Sequence, residues 1–156
     1  MTLDELNALP APACEAAFQT VCSAPRWAAA VTAARPYASV DALQDAAATA
    51  LAPGDLDPAV AGHARIGDRS ASGTSGREQA AVADAGADVH AALAEGNAAY
   101  EARFGHVYLV CASGRSAEDL LATLHARLTN DAPTERAVAL SELAAINRIR
   151  IAGMVS

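Results

Sequence analysis

Residues 107–111, VYLVC, form the one strand-like run in the sequence. Its β-branched and aromatic residues suit a pleated, half-buried surface. A strand, however, needs a partner for its backbone N–H and C=O groups. No second run of this kind occurs in the chain. The run is therefore expected to be a buried extended connector, and the fold to be all-α. Just before it, Phe104-Gly105 puts a glycine where a helix should end. Just after it, Ser116 is placed to cap a helix over residues 116–128, presenting Leu120, Leu121, Leu124 and Leu128.

Working outward, Asn130-Asp131-Ala132-Pro133 turns into a final helix from Thr134 to about Met154. On the other side, residues 77–103 are predicted as one long helix. Its stripe is Glu78, Val82, Ala85, Val89, Leu93, Gly96 and Tyr100. Gly86 and Gly96 weaken that helix or mark close approaches of a neighbour. Further back, residues 3–9 make a short helix stopped by Pro10 and Pro12, and residues 13–23 a second that buries Phe18 and Val21. Pro25 opens a third, with Trp27 and Val31 inward, ending before Pro36. Ser39 caps a fourth, which Pro53-Gly54 stops, and Asp57-Pro58 opens a brief helix over 58–62. The expectation is a single-domain bundle of about eight helices spanning residues 1–156.

Composition agrees. The chain is 53% hydrophobic but only 4% aromatic, and alanine, a strong helix former, supplies much of the apolar fraction. Net charge is −7 with no basic run, which disfavours nucleic acid as a partner. Every basic side chain is arginine, so no lysine is present to form a Schiff base, and imine-based decarboxylation is excluded. The three cysteines form no Cys-x-x-Cys pair and are read as reduced thiols. No apolar run reaches the roughly 20 residues of a membrane span. The first ten residues carry no basic-then-apolar leader pattern. A cytoplasmic protein is expected.

One connection is unusually long and polar: residues 61–79, AGHARIGDRSASGTSGREQ. Connections of this length inside a helical domain commonly carry function. His63 enters it; its ordinary pKa, near 6.5, suits proton transfer, although a lone loop histidine also fits a surface role. His90, His106 and His125 share no metal-ligand spacing with it, so no metal site is expected. Ser75 and Glu78 have the spacing of a capping box, yet Glu78 also falls on an apolar stripe. On the last helix, Arg148 points away from the stripe of Ala139, Leu143, Ile146, Gly153 and Met154, whereas Arg150 lies in its middle. A cation aimed at a core needs an anionic partner. Two readings stay open: Arg150 pairs with Glu78, or both grip the same ligand.

Several stretches together resemble one family, the 2-oxo-4-hydroxy-4-carboxy-5-ureidoimidazoline (OHCU) decarboxylases of urate degradation. His63-Ala64-Arg65-Ile66-Gly67 is similar to the family's His-Pro-x-Ile-Gly loop, and Ser75-Gly76-Arg77-Glu78-Gln79 to its Ser-x-x-Glu-Gln. Residues 97–105 match its Asn-x-x-Tyr-x-x-(Arg/Lys)-Phe-Gly helix end; VYLVCASGRSAEDLLA follows as the extended core segment, and Ile149-Arg150-Ile151 resembles the closing Leu-Arg-Leu. The resemblance implies an all-α bundle, often dimeric, that converts OHCU to (S)-allantoin with neither metal nor organic cofactor. It assigns catalysis to His63, Glu78 and Arg150. It assigns substrate contacts to Ala64, Ser75, Gln79, Val110, Cys111 and Ala112. Two positions depart from the family pattern: Ala64 stands where the family has proline, and His106-Val107 replaces Phe-Pro. The competing reading is a helical ligand-binding module of the same fold without turnover.

Overall fold

The structure is a computed structural model. It describes residues 1–68, 73–83 and 85–156, with the side chains at 73–75, 81 and 83 outside the description. The described residues form α-helices joined by turns and one extended segment, with no strand among them. The chain divides into two compact units: Met1–Gly62 with Leu143–Ser156, and His63–Glu142.

The first unit holds α1 (Leu3–Ala8), α2 (Ala11–Val21), α3 (Pro25–Ala33), α4 (Val40–Ala50), a 3-10 turn (Pro53–Asp55) and α5 (Leu56–Val60). It also takes the C-terminal part of α10 (Ala132–Met154). Starts follow local chemistry. Thr2 and Glu5 close a reciprocal capping box on α1, and the Ser39 hydroxyl accepts from Ala42 N at the head of α4. Two predicted starts move. α2 begins at Ala11, so Pro12 sits in its first turn, where a missing N–H costs nothing. α5 begins at Leu56, which puts Asp57 inside the helix. Asp55, not Asp57, carries the local chemistry: it pairs with Arg26 and accepts from Ala52 N at 2.8 Å. The core is built on Leu6, Phe18, Trp27, Leu43, Leu56 and Ile151. Phe18 and Trp27 meet edge to face at 5.8 Å, and Trp27 Nε1 donates to Ala47 O at 2.8 Å.

The second unit holds α6 (Gly73–Glu78), α7 (Ala80–Ala83), α8 (Ala87–Phe104), α9 (Ala117–Arg127) and the first part of α10. The long helix predicted over residues 77–103 is thus three helices. The chain turns at Gln79, and Gly86 serves as the N-cap of α8. The predicted stripe is nonetheless a real face: Val82, Leu93, Gly96 and Tyr100 are buried, with Ala85 and Val89 packed against them. Gly96 is where α9 comes close, since a Cβ there would lie 2.6 Å from Leu124 Cδ2. α8 ends at Gly105, which takes a left-handed φ of 79°. The extended connector follows as expected, with Tyr108, Leu109, Val110 and Ala112 buried. Ser116 then caps α9 by accepting from Asp119 N. Among the described residues, no helix is long and apolar enough to cross a membrane.

Candidate active site

The turn after His63 is gripped from several sides. His63 and Ala64 are half-buried, and Ile66 goes into the core beside Val82 and Leu93. Asp68 N donates to Arg65 O at 3.1 Å, closing the turn. Gly67 sits at φ 84°, a conformation that disfavours any side chain, and it packs on Leu93. Three side chains reach into this turn. Gln79, buried, accepts from Gly67 N at 2.9 Å and donates to Arg65 O at 3.3 Å. Asn97 Nδ2 donates to Ile66 O at 2.8 Å. Glu101 takes a two-pronged ion pair from Arg65, at 2.8 to 3.1 Å. A cleft of about 490 Å³ runs along the same residues, bordered by Gly67, Asp68 and His90.

Glu78 is the last residue of α6 and is half-buried. Because α6 starts at Gly73, Ser75 lies inside the helix rather than ahead of it, so the capping-box reading of Ser75 and Glu78 does not hold. The Ser75 side chain itself lies outside the described residues. Glu78 is electrostatically close to the extended segment. Burial pushes the Cys111 thiol above its ordinary pKa, and the charges of Glu142 and Glu78 add to that. Val110 and Ala112 are buried on either side, with Cys111 half-buried between them.

The extended segment is anchored by an ion pair that the sequence reading missed. Arg127 and Glu135 are 5% and 0% exposed and pair directly, with Arg127 Nε to Glu135 Oε1 at 2.8 Å. Arg127 Nη1 donates to Leu109 O at 2.7 Å, and its guanidinium lies 4.9 Å from the centre of the Tyr108 ring. Tyr100 and Asn130 complete the hydrogen bonding of Glu135. Burial chiefly, and the Glu135 carboxylate beside it, push the Tyr100 hydroxyl well above its ordinary pKa; burial likewise raises Tyr108 to about 12. Both phenols stay neutral donors at neutral pH. The available signal was Arg127 standing three residues after Leu124 on the α9 stripe.

Arg150 belongs to the first unit. It is half-buried, and its Nη1 donates to Val21 O at 3.0 Å, at the C-terminal end of α2. That end of a helix presents unpaired carbonyls and partial negative charge, so a guanidinium is well placed there. Arg148 is exposed and pairs with Asp45 at 3.0 Å, as its side of the helix predicts. The buried stripe of α10 is rotated from the predicted one. Leu143, Ile146, Asn147 and Ile151 are buried and Gly153 is exposed, while Arg150, on the same side of the helix as the buried residues, is half-buried. Asn147, also missed, is 3% exposed. Its amide has no nitrogen or oxygen partner among the described residues and meets the Cys22 thiol, whose pKa burial raises.

His63, Ala64, Glu78, Gln79, Val110, Cys111 and Ala112 therefore share one unit, in which the His63 turn is tied to Gln79, the neighbour of Glu78. Such a set offers a histidine for proton transfer and a carboxylate for accepting N–H bonds.

Known proteins share the fold and the sequence family of this chain. A solved OHCU decarboxylase, crystallised in the presence of (S)-allantoin, superposes with a TM-score of 0.77 at 25% identity, covering 87% of this chain and 94% of that one. An (S)-allantoin synthase superposes with a TM-score of 0.73 at 14% identity, covering 99% of this chain and 54% of that one, a likeness of fold. The uric acid degradation bifunctional protein TTL of Arabidopsis thaliana is 36% identical over 64 residues, which is 41% of this chain and 20% of that protein. The match thus spans about a fifth of that curated relative's length. The OHCU decarboxylase family model matches residues 7–152. With nearly the whole chain matched in sequence and the same helical architecture, the chain belongs to the OHCU decarboxylase family.

Proposed function

We propose that this protein decarboxylates OHCU to (S)-allantoin in urate degradation. The observation that carries the reading is the family match over residues 7–152, within which His63, Glu78 and Arg150 all occur. The reaction breaks the carbon–carboxylate bond and releases CO2. The electron pair left behind is accepted by the substrate's own C=N bond, so no lysine or thiamine sink is required. The nitrogen that received the pair is protonated, and as the hydroxyl gives up its proton to become the carbonyl, a proton is delivered to one face of the former C=N carbon.

In this proposal Arg150 binds an anionic oxygen of the substrate and stabilises the charge that develops. Glu78 accepts hydrogen bonds from ring or ureido N–H groups. His63 orients the scissile carboxylate or the hydroxyl and manages the proton transfer. Ala64, Ser75, Gln79 and the backbone at Val110, Cys111 and Ala112 complete the substrate contacts. The whole chain acts as one functional domain, working as a homodimer in the cytoplasm.

The test is circular dichroism of freshly generated OHCU with and without the protein. Expected is faster loss of substrate than its spontaneous decay, with one enantiomer of allantoin in excess. His63→Ala should lower the rate by roughly 10² to 10⁴, the usual scale of a positioned acid–base group, with the helix signal unchanged. Wild-type protein that gives neither acceleration nor enantiomeric excess would leave a binding module without turnover.

A further inference from the structure

Resting on that proposed function, we infer that Asn97 and Glu101 are positioning residues that hold the His63 turn in its reactive geometry. The backbone around the histidine has no covalent restraint of its own. His63 is followed by Ala64, whose φ is not ring-locked as a proline's would be. One flank of the turn is packed through Ile66, but the other borders the open cleft of about 490 Å³. Packing therefore secures one side, and hydrogen bonds from Gln79 and from α8 secure the rest.

Asn97 and Glu101 stand one helical turn apart on α8, and side chains at that spacing share a face. Leu93, one turn further back, lies beneath Gly67. The three thus meet successive residues of the turn: Leu93 under Gly67, Asn97 on Ile66 O and Glu101 on the Arg65 guanidinium. α8 acts as a rigid template against which the turn is set. The Asn97 amide serves no other described partner: it is 5% exposed, and its Oδ1 is buried without a donor among the described residues. The Nδ2 bond to Ile66 O is the polar contact that this buried carboxamide makes. The turn it fixes begins two residues after His63, so a shift there is passed directly to the imidazole.

The test compares wild type, Asn97→Ala, Asn97→Asp, Glu101→Gln, Ala64→Pro and the double variant Asn97→Ala with Ala64→Pro in the OHCU assay. Thermal melting of each variant and amide exchange at Gly67 and Asp68 are measured alongside. Asn97→Ala and Asn97→Asp should lower kcat roughly tenfold with KM little changed, as expected when a reacting group is misplaced rather than removed. Glu101→Gln, a partly exposed change that keeps the fold, should lower kcat about two- to threefold. Gly67 and Asp68 amides should exchange faster in all three while core amides do not. Because proline restores a fixed φ, Ala64→Pro should raise kcat several-fold more in the Asn97→Ala background than in wild type.

Unchanged kcat per folded molecule in Glu101→Gln and both Asn97 variants overturns the inference. So does an equal effect of Ala64→Pro in both backgrounds, which would mean that the two devices act independently. If wild type fails to accelerate OHCU loss, it is the proposed function that falls. The clamp is then judged by exchange alone, and Gly67 and Asp68 amides no faster than wild type would overturn it as well.

Discussion

Arg150 shows how one side chain can be read twice. The sequence made it a core-directed cation in need of an anion, and the structure finds it half-buried on Val21 O at the end of α2. The Val21 carbonyl, at the negative end of α2, is one partner of that guanidinium. Under the proposed mechanism, Arg150→Ala should lower kcat/KM by roughly 10²- to 10³-fold, the scale of one lost oxyanion donor. Its melting temperature should stay within a few degrees of wild type. If the variant instead melts far below wild type and the activity lost equals the fraction unfolded, Arg150 is a helix-end brace and nothing more. Legibility at this scale was uneven. His63, Glu78 and Arg150 were visible because each is a polar residue in an unusual setting. Asn147 was not, and Asn97 stood out only as the head of a motif with no role attached, because an amide inside an alanine-rich helix gives no sign of the groove it faces.

Among the elements, α8, which carries the side chains that hold the turn, packs closely against α9. Gly96 lets them approach: a side chain there meets Leu124, which is 0% exposed and has no room to retreat. Gly96→Val should therefore lower stability by about 1 to 3 kcal/mol, through overpacking rather than through helix propensity. Chemical denaturation measures this directly, and an unchanged midpoint would show that α9 yields. Helix ends were legible element by element. Ser39, Ser116 and Gly105 cap as their residue types dictate, since capping depends on a few neighbouring backbone groups. The break of the predicted 77–103 helix was not legible. Val82, Leu93 and Tyr100 keep one apolar periodicity across it, and the turn at Gln79 goes with that residue's bonds to a distant segment, at Arg65 O and Gly67 N.

For the whole molecule, acid stability hinges in part on the Arg26–Asp55 pair. Burial alone would raise the Asp55 carboxyl, but hydrogen bonds from Arg26 and the Ala52 amide, with the Arg26 charge, hold it below its ordinary value. A carboxylate whose pKa is depressed in the folded state contributes stability above its unfolded pKa, about 3.9. That contribution disappears as pH falls through the folded value. Wild type should therefore melt higher than Asp55→Asn at pH 6 to 7, and the gap should narrow below about pH 4. Melting temperatures of the two proteins from pH 7 down to pH 3 measure this, and a gap that stays constant would remove Asp55 from the acid response.

The sequence by itself determined the all-α class, most helix caps, the extended connector at 107–111 and the family. Each of these depends on residue type and spacing along the chain, which carry periodicity, capping chemistry and motif order. Only the tertiary structure decided which polar residues are braces. The Arg127–Glu135 pair is eight residues apart, and the clamp on the His63 turn joins residues 12 to 36 apart. Such bonds form because burial leaves a polar group no water to turn to, and which groups are buried together is settled by how the helices pack.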